Sequence, residues 1–405
     1  MKKSILFVLY SIVLAVFVAL LSSGITALTI ENRKIKKGDK VIVSQEEYAL
    51  LQKYKKIDTV RGWIDDYYYL EEDTDALIDG AVKGMVSSLN DPYSYYYSAE
   101  QQADKDEKSS GVYTGLGIIV QKKADDPYPV VLRVYKDSPA NKAGILRGDV
   151  LVAIDGQDLA EVEDYKPLLN KETDDKIVLS LKRDGVVGEY ALTRQAINAN
   201  RVEYEIRDDN IGYVYIADFE GNVVEEFDSA VLELKKSKIK GLIIDLRSNP
   251  GGYVDYACQI ADHFLPKGIV TYTVTKEGDR KDYLSDAYCW DIPLCVLVNG
   301  STASASEIFC GAIQSMGKGV IIGTQTYGKG VVTLTHRYKE DNSAVTLTYA
   351  NYYTPSGQSI HGKGITPDIV CEPAEEEKDM HFLLYKIDNQ YKQALAKLKE
   401  MIAAK

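Results

Sequence analysis

Apolar residues fill almost every position from Ile5 to Ile30, and no later stretch of the chain is so unbroken. From Ser44 to about Tyr97 they fall instead at mixed spacings of three and four, the period of helices packed on one side; "DTDALIDGAVKGMVSSL" repeats the pattern with Asp73 or Asp75 as its cap, and "NDPYSYYYS" ends it. The charged stretch "AEQQADKDEKSSG" that follows reads as a linker or a frayed helix. Between about 111 and 196 short alternating runs, "GLGIIVQ", "YPVVLRVY", "DVLVAIDGQ" and "DKIVLSLKRDG", predict strands, with short helices at "SPANKAGI" and "VEDYKPLLN". From Ile211 continuous apolar runs alternate with helical patterns, including one from about 223 to 236, which predicts crossover units and a mostly parallel sheet. "GVVTLTHRY" and "SAVTLTYANYYT" predict a hairpin around Glu340-Asp341-Asn342, and the tail from Ala374 is acidic, then helical.

The apolar run at the amino terminus is long enough to cross a membrane: twenty-six helical residues reach about 39 Å, against a hydrocarbon core of about 30 Å. Small residues at Ser22-Ser23-Gly24 offer a cleavage site, but the run continues past them, so residues 1–30 are expected to be a retained signal-anchor. Lysines and arginines on both flanks specify its orientation weakly; export of the remainder, to the cell surface or envelope space, is the expectation. At 405 residues, 45% apolar and 27% charged, the chain has room for two or three folded domains. A net charge of -12 and the absence of a basic run argue against nucleic acid as a partner. The five cysteines show no metal-ligand spacing; Cys289 and Cys295 can bridge, or all five can stand as isolated thiols.

The stretch 111–196 resembles a PDZ domain, on "YTGLGIIV" (113–120) and "SPANKAGILRGDVLVAIDGQDL" (138–159). Backbone N–H groups in such a glycine-bearing turn can hold a chain-terminal carboxylate, and the adjoining strand edge can take up an extended peptide. Gly115, Leu116, Gly117 and Ile118 are the candidates.

"GTQTYGKG" (323–330) has the glycine and lysine spacing of a phosphate-binding loop, but Gly330 stands where the magnesium-binding hydroxyl belongs and a strand follows instead of a helix. Upstream, "VNGSTASASEIF" runs from an apolar strand through an Asn-Gly turn into a helix, at the carboxyl end of the sheet where open α/β folds carry their sites. Ser304 with Glu307 three residues later also matches a capping box, and on that stretch alone a cap is preferred to a nucleophile.

Six segments in order, "GAVKGMVSSLNDPYSYY", the PDZ-like unit, "IIDLRSNPGG", "STASASEI", "GTQTYGKG" and "GKGITPDI", resemble the carboxy-terminal processing peptidases, serine endopeptidases with a serine-lysine pair. The resemblance implies a multidomain α/β protein: anchor at 1–30, helical region at 31–110, PDZ domain at 111–196, a ClpP/crotonase-like peptidase core at 197–373 and a helical tail at 374–405. It implies Ser304 as nucleophile and Lys329 as base, an oxyanion hole from the Ala305 N–H and that of Gly251 or Gly252, and neither a metal nor another cofactor. It also implies capture of protein C-termini and a homodimer through the N-terminal helices, with Trp63, Leu70 and Leu77 as candidates, although an intramolecular core explains the same apolar face.

An amine with an ordinary pKa near 10.4 is neutral in only about one molecule in 2,500 at pH 7, so Lys329 needs burial to act as a base. The family's usual glutamine four residues after the lysine is here Thr333, whose shorter side chain weakens the expected support of the pair. That departure keeps open a second reading, a membrane-tethered peptide receptor built on an inactive peptidase fold. A Ser-His-Asp arrangement finds no support in the spacing of His263, His336, His361 and His381.

Overall fold

The computed structural model describes residues 43–122, 126–169, 176–374 and 388–404; the expected anchor lies outside them. Among the described residues no helix is long and apolar enough to cross a membrane. The chain divides into two compact units after Ala81.

In the first unit, helix α1 (Gln45–Tyr67) opens on a reciprocal capping box: the Glu47 N–H donates to Ser44 Oγ at 3.1 Å and the Ser44 N–H to the Glu47 carboxylate at 2.6 Å. None of its residues is buried, and Trp63 is 59% exposed. Helix α2 (Thr74–Ser87) crosses the division, with Asp73 Oδ1 accepting from the Asp75 and Ala76 N–H groups at its start.

The second unit holds the sites. The helical pattern ends earlier than Tyr97: Asn90 turns to a φ of 52°, and Tyr95–Tyr97 form strand β1. The charged run is helix α3 (Ala99–Ser110). The PDZ-like region comprises β2 (Val112–Gly115), β3 (Ile118–Gln121), β4 (Val130–Val134), α4 (Pro139–Lys142), β5 (Val150–Ile154), β6 (Gln157–Asp158), α5 (Lys166–Leu169), β7 (Ile177–Arg183), β8 (Val186–Leu192) and β9 (Gln195–Asn198). Its main sheet runs β3-β4-β5-β7-β8, antiparallel throughout, and β2 pairs with β9. Alternation in β7 buries Ile177, Leu179 and Leu181 against Leu116, Val131 and Leu151.

The remainder is α/β: β10 (Val202–Arg207), β11 (Ile211–Ile216), α6 (Val223–Lys236), β12 (Gly241–Asp245), α7 (Val254–Asp262), β13 (Gly268–Thr275), β14 (Arg280–Ser285), β15 (Leu294–Val298), α8 (Ala305–Ser315), β16 (Val320–Gly323), β17 (Val331–Arg337), β18 (Ala344–Tyr353), β19 (Ile369–Val370) and α9 (Asn389–Ala403). One sheet runs β10-β11-β12-β15-β16-β19 and is parallel from β11 onward. Its central strands are apolar on both faces because both are covered. Leu242, Ile244, Leu294 and Val296 face α6, α7 and α8, while Ile243, Cys295 and Leu297 face Tyr391, Ala394 and Leu398 of α9. The terminal helix is therefore a layer of the core. The second sheet, β1-β18-β13-β14 with β17 on β18, is antiparallel and includes two strands, β13 and β14, that the apolar pattern did not announce. All five cysteines are free thiols.

Candidate active site

Strand β15 ends at Val298, and the chain turns through Asn299 and Gly300 into α8. Ser304 has φ 57° and ψ −119°, a conformation that costs a non-glycine residue on the order of 1–3 kcal/mol. The surroundings fix it. Its carbonyl accepts from the Glu307 N–H (2.8 Å), the Ile308 N–H (3.1 Å) and the Tyr352 hydroxyl (2.9 Å). The Glu307 side of the expected capping box is present, with a bond from the Ser304 N–H to Glu307 Oε2 at 2.8 Å, while the Glu307 N–H goes to the Ser304 carbonyl. The residue thus opens the helix through its backbone.

The "NPGG" turn after β12 is laced to this serine turn. Buried Asn249 donates through Nδ2 to the Ile216 carbonyl (2.9 Å), and its own carbonyl accepts from the Ala303 N–H (3.0 Å) and Ser306 Oγ (3.1 Å). Gly251 (φ 100°) and Gly252 (φ 146°) are required by space as well as by torsion. A Cβ on Gly251 would lie 2.7 Å from the Ala303 oxygen and 2.8 Å from the Ala305 nitrogen; one on Gly252 would lie 2.3 Å from the Phe219 oxygen. The Gly251 N–H is taken by Asn249 Oδ1 at 2.9 Å. Gly252 forms a parallel bridge with Phe219 through its neighbours' groups, so its own N–H points away from that partner. Just upstream, Arg247 is held by Asp245 at 2.6 Å and by Asp388 and Gln390 at the start of α9, a tie that nothing in the sequence pattern announced.

The glycines around Lys329 admit a neighbouring loop, not a phosphate. A Cβ on Gly330 would lie 2.4 Å from the His361 nitrogen, and one on Gly328 2.9 Å from that of Gly364. The turn is bound to the serine helix through one carboxylate. Fully buried Glu307 accepts from Thr326 Oγ1 (2.5 Å) and the Gly328 N–H (2.7 Å) on Oε1, and from the Lys329 N–H (2.9 Å) and the Ser304 N–H on Oε2. Four donors satisfy the charge, so burial does not leave it unpaired. Sequence reasoning found Glu307 only as a cap.

The Lys329 side chain is half-buried, and among the described residues its amine has no hydrogen bond or ion pair. Burial holds its pKa below the ordinary lysine value, with the charge of Lys105 acting the same way and that of Asp91 opposing. The turns of Ser304 and Lys329 are brought together, but hydroxyl and amine are not hydrogen-bonded in this conformation. Thr333 faces Thr348 of β18, the pairing of β17 with β18 is irregular between Val332 and Thr333, and simple alternation from Lys329 is interrupted there. Its hydroxyl makes no hydrogen bond to the lysine.

In the PDZ-like region Gly115 ends β2, Gly117 takes φ 82° and Ile118 starts β3. A Cβ on Gly117 would lie 2.1 Å from that of Ser138, so the turn packs against the start of α4. Buried Leu116 anchors it from below. Among the described residues, strand β3 is the outer strand of its sheet, with β4 beside it. Of the histidines, His263 is bonded to Asp228 at 2.7 Å beside Phe227 and Phe264, and His361 lies edge-on to Tyr93; His381 is outside the described residues.

Residues 210–371 match the model of peptidase family S41, residues 130–183 that of a PDZ domain, and residues 17–101 that of the N-terminal domain of the activating protease CtpB. The carboxy-terminal processing protease CtpA of Bacillus subtilis (strain 168) is 34% identical over 325 residues, covering 79% of this chain and 69% of that protein. A CtpA-like serine protease of Staphylococcus aureus (strain COL) is 35% identical over 326 residues, covering 78% of this chain; the chain spans 64% of that relative's length. An S41 protease structure from Bacteroides fragilis NCTC 9343 shares the fold at a TM-score of 0.58 and 18% identity, covering 84% of this chain and 92% of that one. The chain belongs to peptidase family S41, among the carboxy-terminal processing proteases.

Proposed function

We propose that the chain is an exported, membrane-anchored serine endopeptidase that captures proteins by their C-termini at its PDZ domain and cuts them with Ser304 and Lys329. The observation that carries this reading is Glu307: one buried carboxylate binds the backbone of both residues and fixes their turns side by side. Lys329, depressed by burial and without a carboxylate partner, supplies a neutral amine more readily than a solvated lysine. It takes the Ser304 proton as Oγ attacks the scissile carbonyl, and the ammonium returns that proton to the departing amine; water then repeats the sequence on the acyl-enzyme. Hydrogen-bond accounting favours the Gly252 and Ala305 N–H groups as oxyanion donors, because that of Gly251 already serves Asn249. The turn at Gly115, Leu116, Gly117 and Ile118, with the open edge of β3, suits a terminal carboxylate and an added strand. The anchor at 1–30 and self-association through exposed α1 residues such as Trp63 belong to the same proposal.

The unclosed Ser304–Lys329 pair and the short Thr333 favour the second reading, a peptide receptor without catalysis. Digestion of casein, with fluorophosphonate labelling of the serine, separates the two. Wild type is expected to cut and to label, while Ser304→Ala and Lys329→Ala lose at least about 10³-fold in kcat, the scale of a lost nucleophile or base. Equal turnover in all three would remove the peptidase reading.

A further inference from the structure

We propose that Tyr93, from the "NDPYSYY" segment far upstream in the chain, is a positioning residue for the Lys329 amine, shielding it from water and receiving it as an ammonium during turnover. The inference rests on the serine-lysine reading above. Lys329 Nζ lies 5.3 Å from the centroid of the Tyr93 ring. The ring is itself flanked: the His361 ring meets it edge-on at 6.0 Å, and burial, with the neighbouring phenol of Tyr327 two residues before the lysine, pushes the Tyr93 hydroxyl's pKa up.

The backbone beneath Tyr93 is fixed with equal care. Asp91 accepts from the Tyr93 N–H (3.1 Å), Ser94 Oγ (2.6 Å) and Thr348 Oγ1 (2.6 Å), and Ser94 Oγ accepts from the Thr348 N–H (3.1 Å). Strand β1 then pairs with β18, Tyr95 opposite Thr346. A strap of chain is thus fastened to the sheet that carries the lysine, with one aromatic face directed at the amine. Thr333, where the family's supporting glutamine would stand, makes no hydrogen bond to that amine among the described residues. Tyr93 occupies the position from which support can come.

An aromatic face suits a base that changes charge. It excludes water, which disfavours the resting ammonium, and its negative quadrupole attracts the ammonium once the serine proton has moved. The charged and titratable groups around the amine and the ring are Asp91 on the strap, Lys105 on α3, Glu307 on α8, Tyr327 and Tyr352 on the flanking segments, and His361. Burial is the largest cause of the depressed lysine, so opening the shield raises its pKa. A base works above its pKa and fails as pH falls through it; the acid limb of kcat/KM therefore moves to higher pH when the ring is removed.

The test uses the full chain, with kcat, KM and the rate of fluorophosphonate labelling measured between about pH 5 and 10. Tyr93→Leu is expected to lower kcat about 30-fold with KM within about threefold, and to move the acid limb of both kcat/KM and labelling upward. Tyr93→Phe, which keeps the ring, is expected to recover most of that loss and to return the limb. If Tyr93→Leu does not fold, as judged by thermal unfolding, Tyr93→Val, which also opens the shield over the amine, takes its place. An unmoved acid limb, whatever the loss of rate, would overturn the proposal, since a purely structural role lowers active protein without shifting the titration. Ser304→Ala run alongside keeps the two claims apart: persistent labelling of that variant sinks the serine-lysine reading, whereas abolished labelling with an unmoved limb in Tyr93→Leu sinks only the role of the ring.

Discussion

Ser304 follows a parallel strand buried along its whole length, and the next nine residues of its helix are buried too; Lys329 precedes a strand of the antiparallel sheet whose residues are half-buried or exposed after Val331. The serine turn is held at a strained φ by backbone contacts to Tyr352, Asn249 and Glu307, whereas the lysine side chain has a ring beside it and, among the described residues, no hydrogen bond. One half of the site is rigid by construction. The other is assembled from segments distant in sequence, and it is the half where proton affinity has to be adjusted. Rigid placement suits the atom that attacks, and an environment set by several separate segments suits the atom that titrates.

Glu307 is where the two halves meet, so its loss is the largest expected effect. Glu307→Ala leaves three backbone N–H groups and the Thr326 hydroxyl without their buried acceptor, each costing on the order of 1–3 kcal/mol and not simply additive. A drop in kcat of at least about 100-fold is expected, with an unfolding midpoint in urea that falls as well. Glu307→Gln keeps the shape but turns donors toward donors, and is expected to lose about tenfold in kcat with a smaller loss of stability. Full activity in Glu307→Gln would show that the halves do not depend on that link.

Much of the rigid half was legible in the chain. Apolar runs announced β12 and β15 because both faces of the sheet are covered, and the Ser-x-x-Glu spacing announced the start of α8. The assembled half was not, because no local period encodes the pairing of Tyr95 with Thr346 or the reach of Tyr93 to Lys329. The "NDPYSYYYS" segment read as a helix terminator and as part of a family segment, and Glu307 as a cap, but their partners across the fold were not legible. Helix α3 is nearly free of apolar residues and gave little periodicity to read. The terminal helix was recognisable as a helix, but its docking through Tyr391, Ala394 and Leu398, and the tie from Arg247 to Asp388, depend on a surface that only the folded sheet presents.

A smaller effect sharpens the account of the rigid half. Gly252→Ala places a methyl group 2.3 Å from the backbone oxygen of Phe219 at a φ of 146°, so the turn must shift and carry its N–H with it. The expected loss is about 100-fold in kcat with KM nearly unchanged, the scale of a displaced oxyanion donor. Gly185→Ala is a suitable comparison, since its φ of 83° carries strain but nothing lies within 4 Å of the added carbon. That variant should lose a little stability and no catalytic rate. Should the two behave alike in steady-state kinetics, the assignment of Gly252 as a donor would fail.

The smallest effect concerns the assembled half. Thr333 lies at the irregular step of the β17–β18 ladder, opposite Thr348, and its hydroxyl leaves the lysine unsupported from that side. A longer amide there can donate to or accept from the amine without removing anything now in place. One added hydrogen bond contributes about 0.5–1.5 kcal/mol, so Thr333→Gln is expected to raise kcat about two- to tenfold if the side chain reaches Lys329. The acid limb of the pH profile should stay close to that of the parent, because the Tyr93 ring still excludes water. A fall in kcat would mean that the irregular ladder aims position 333 away from the amine, and that the lysine's surroundings have been rebuilt around the strap in place of the family's glutamine.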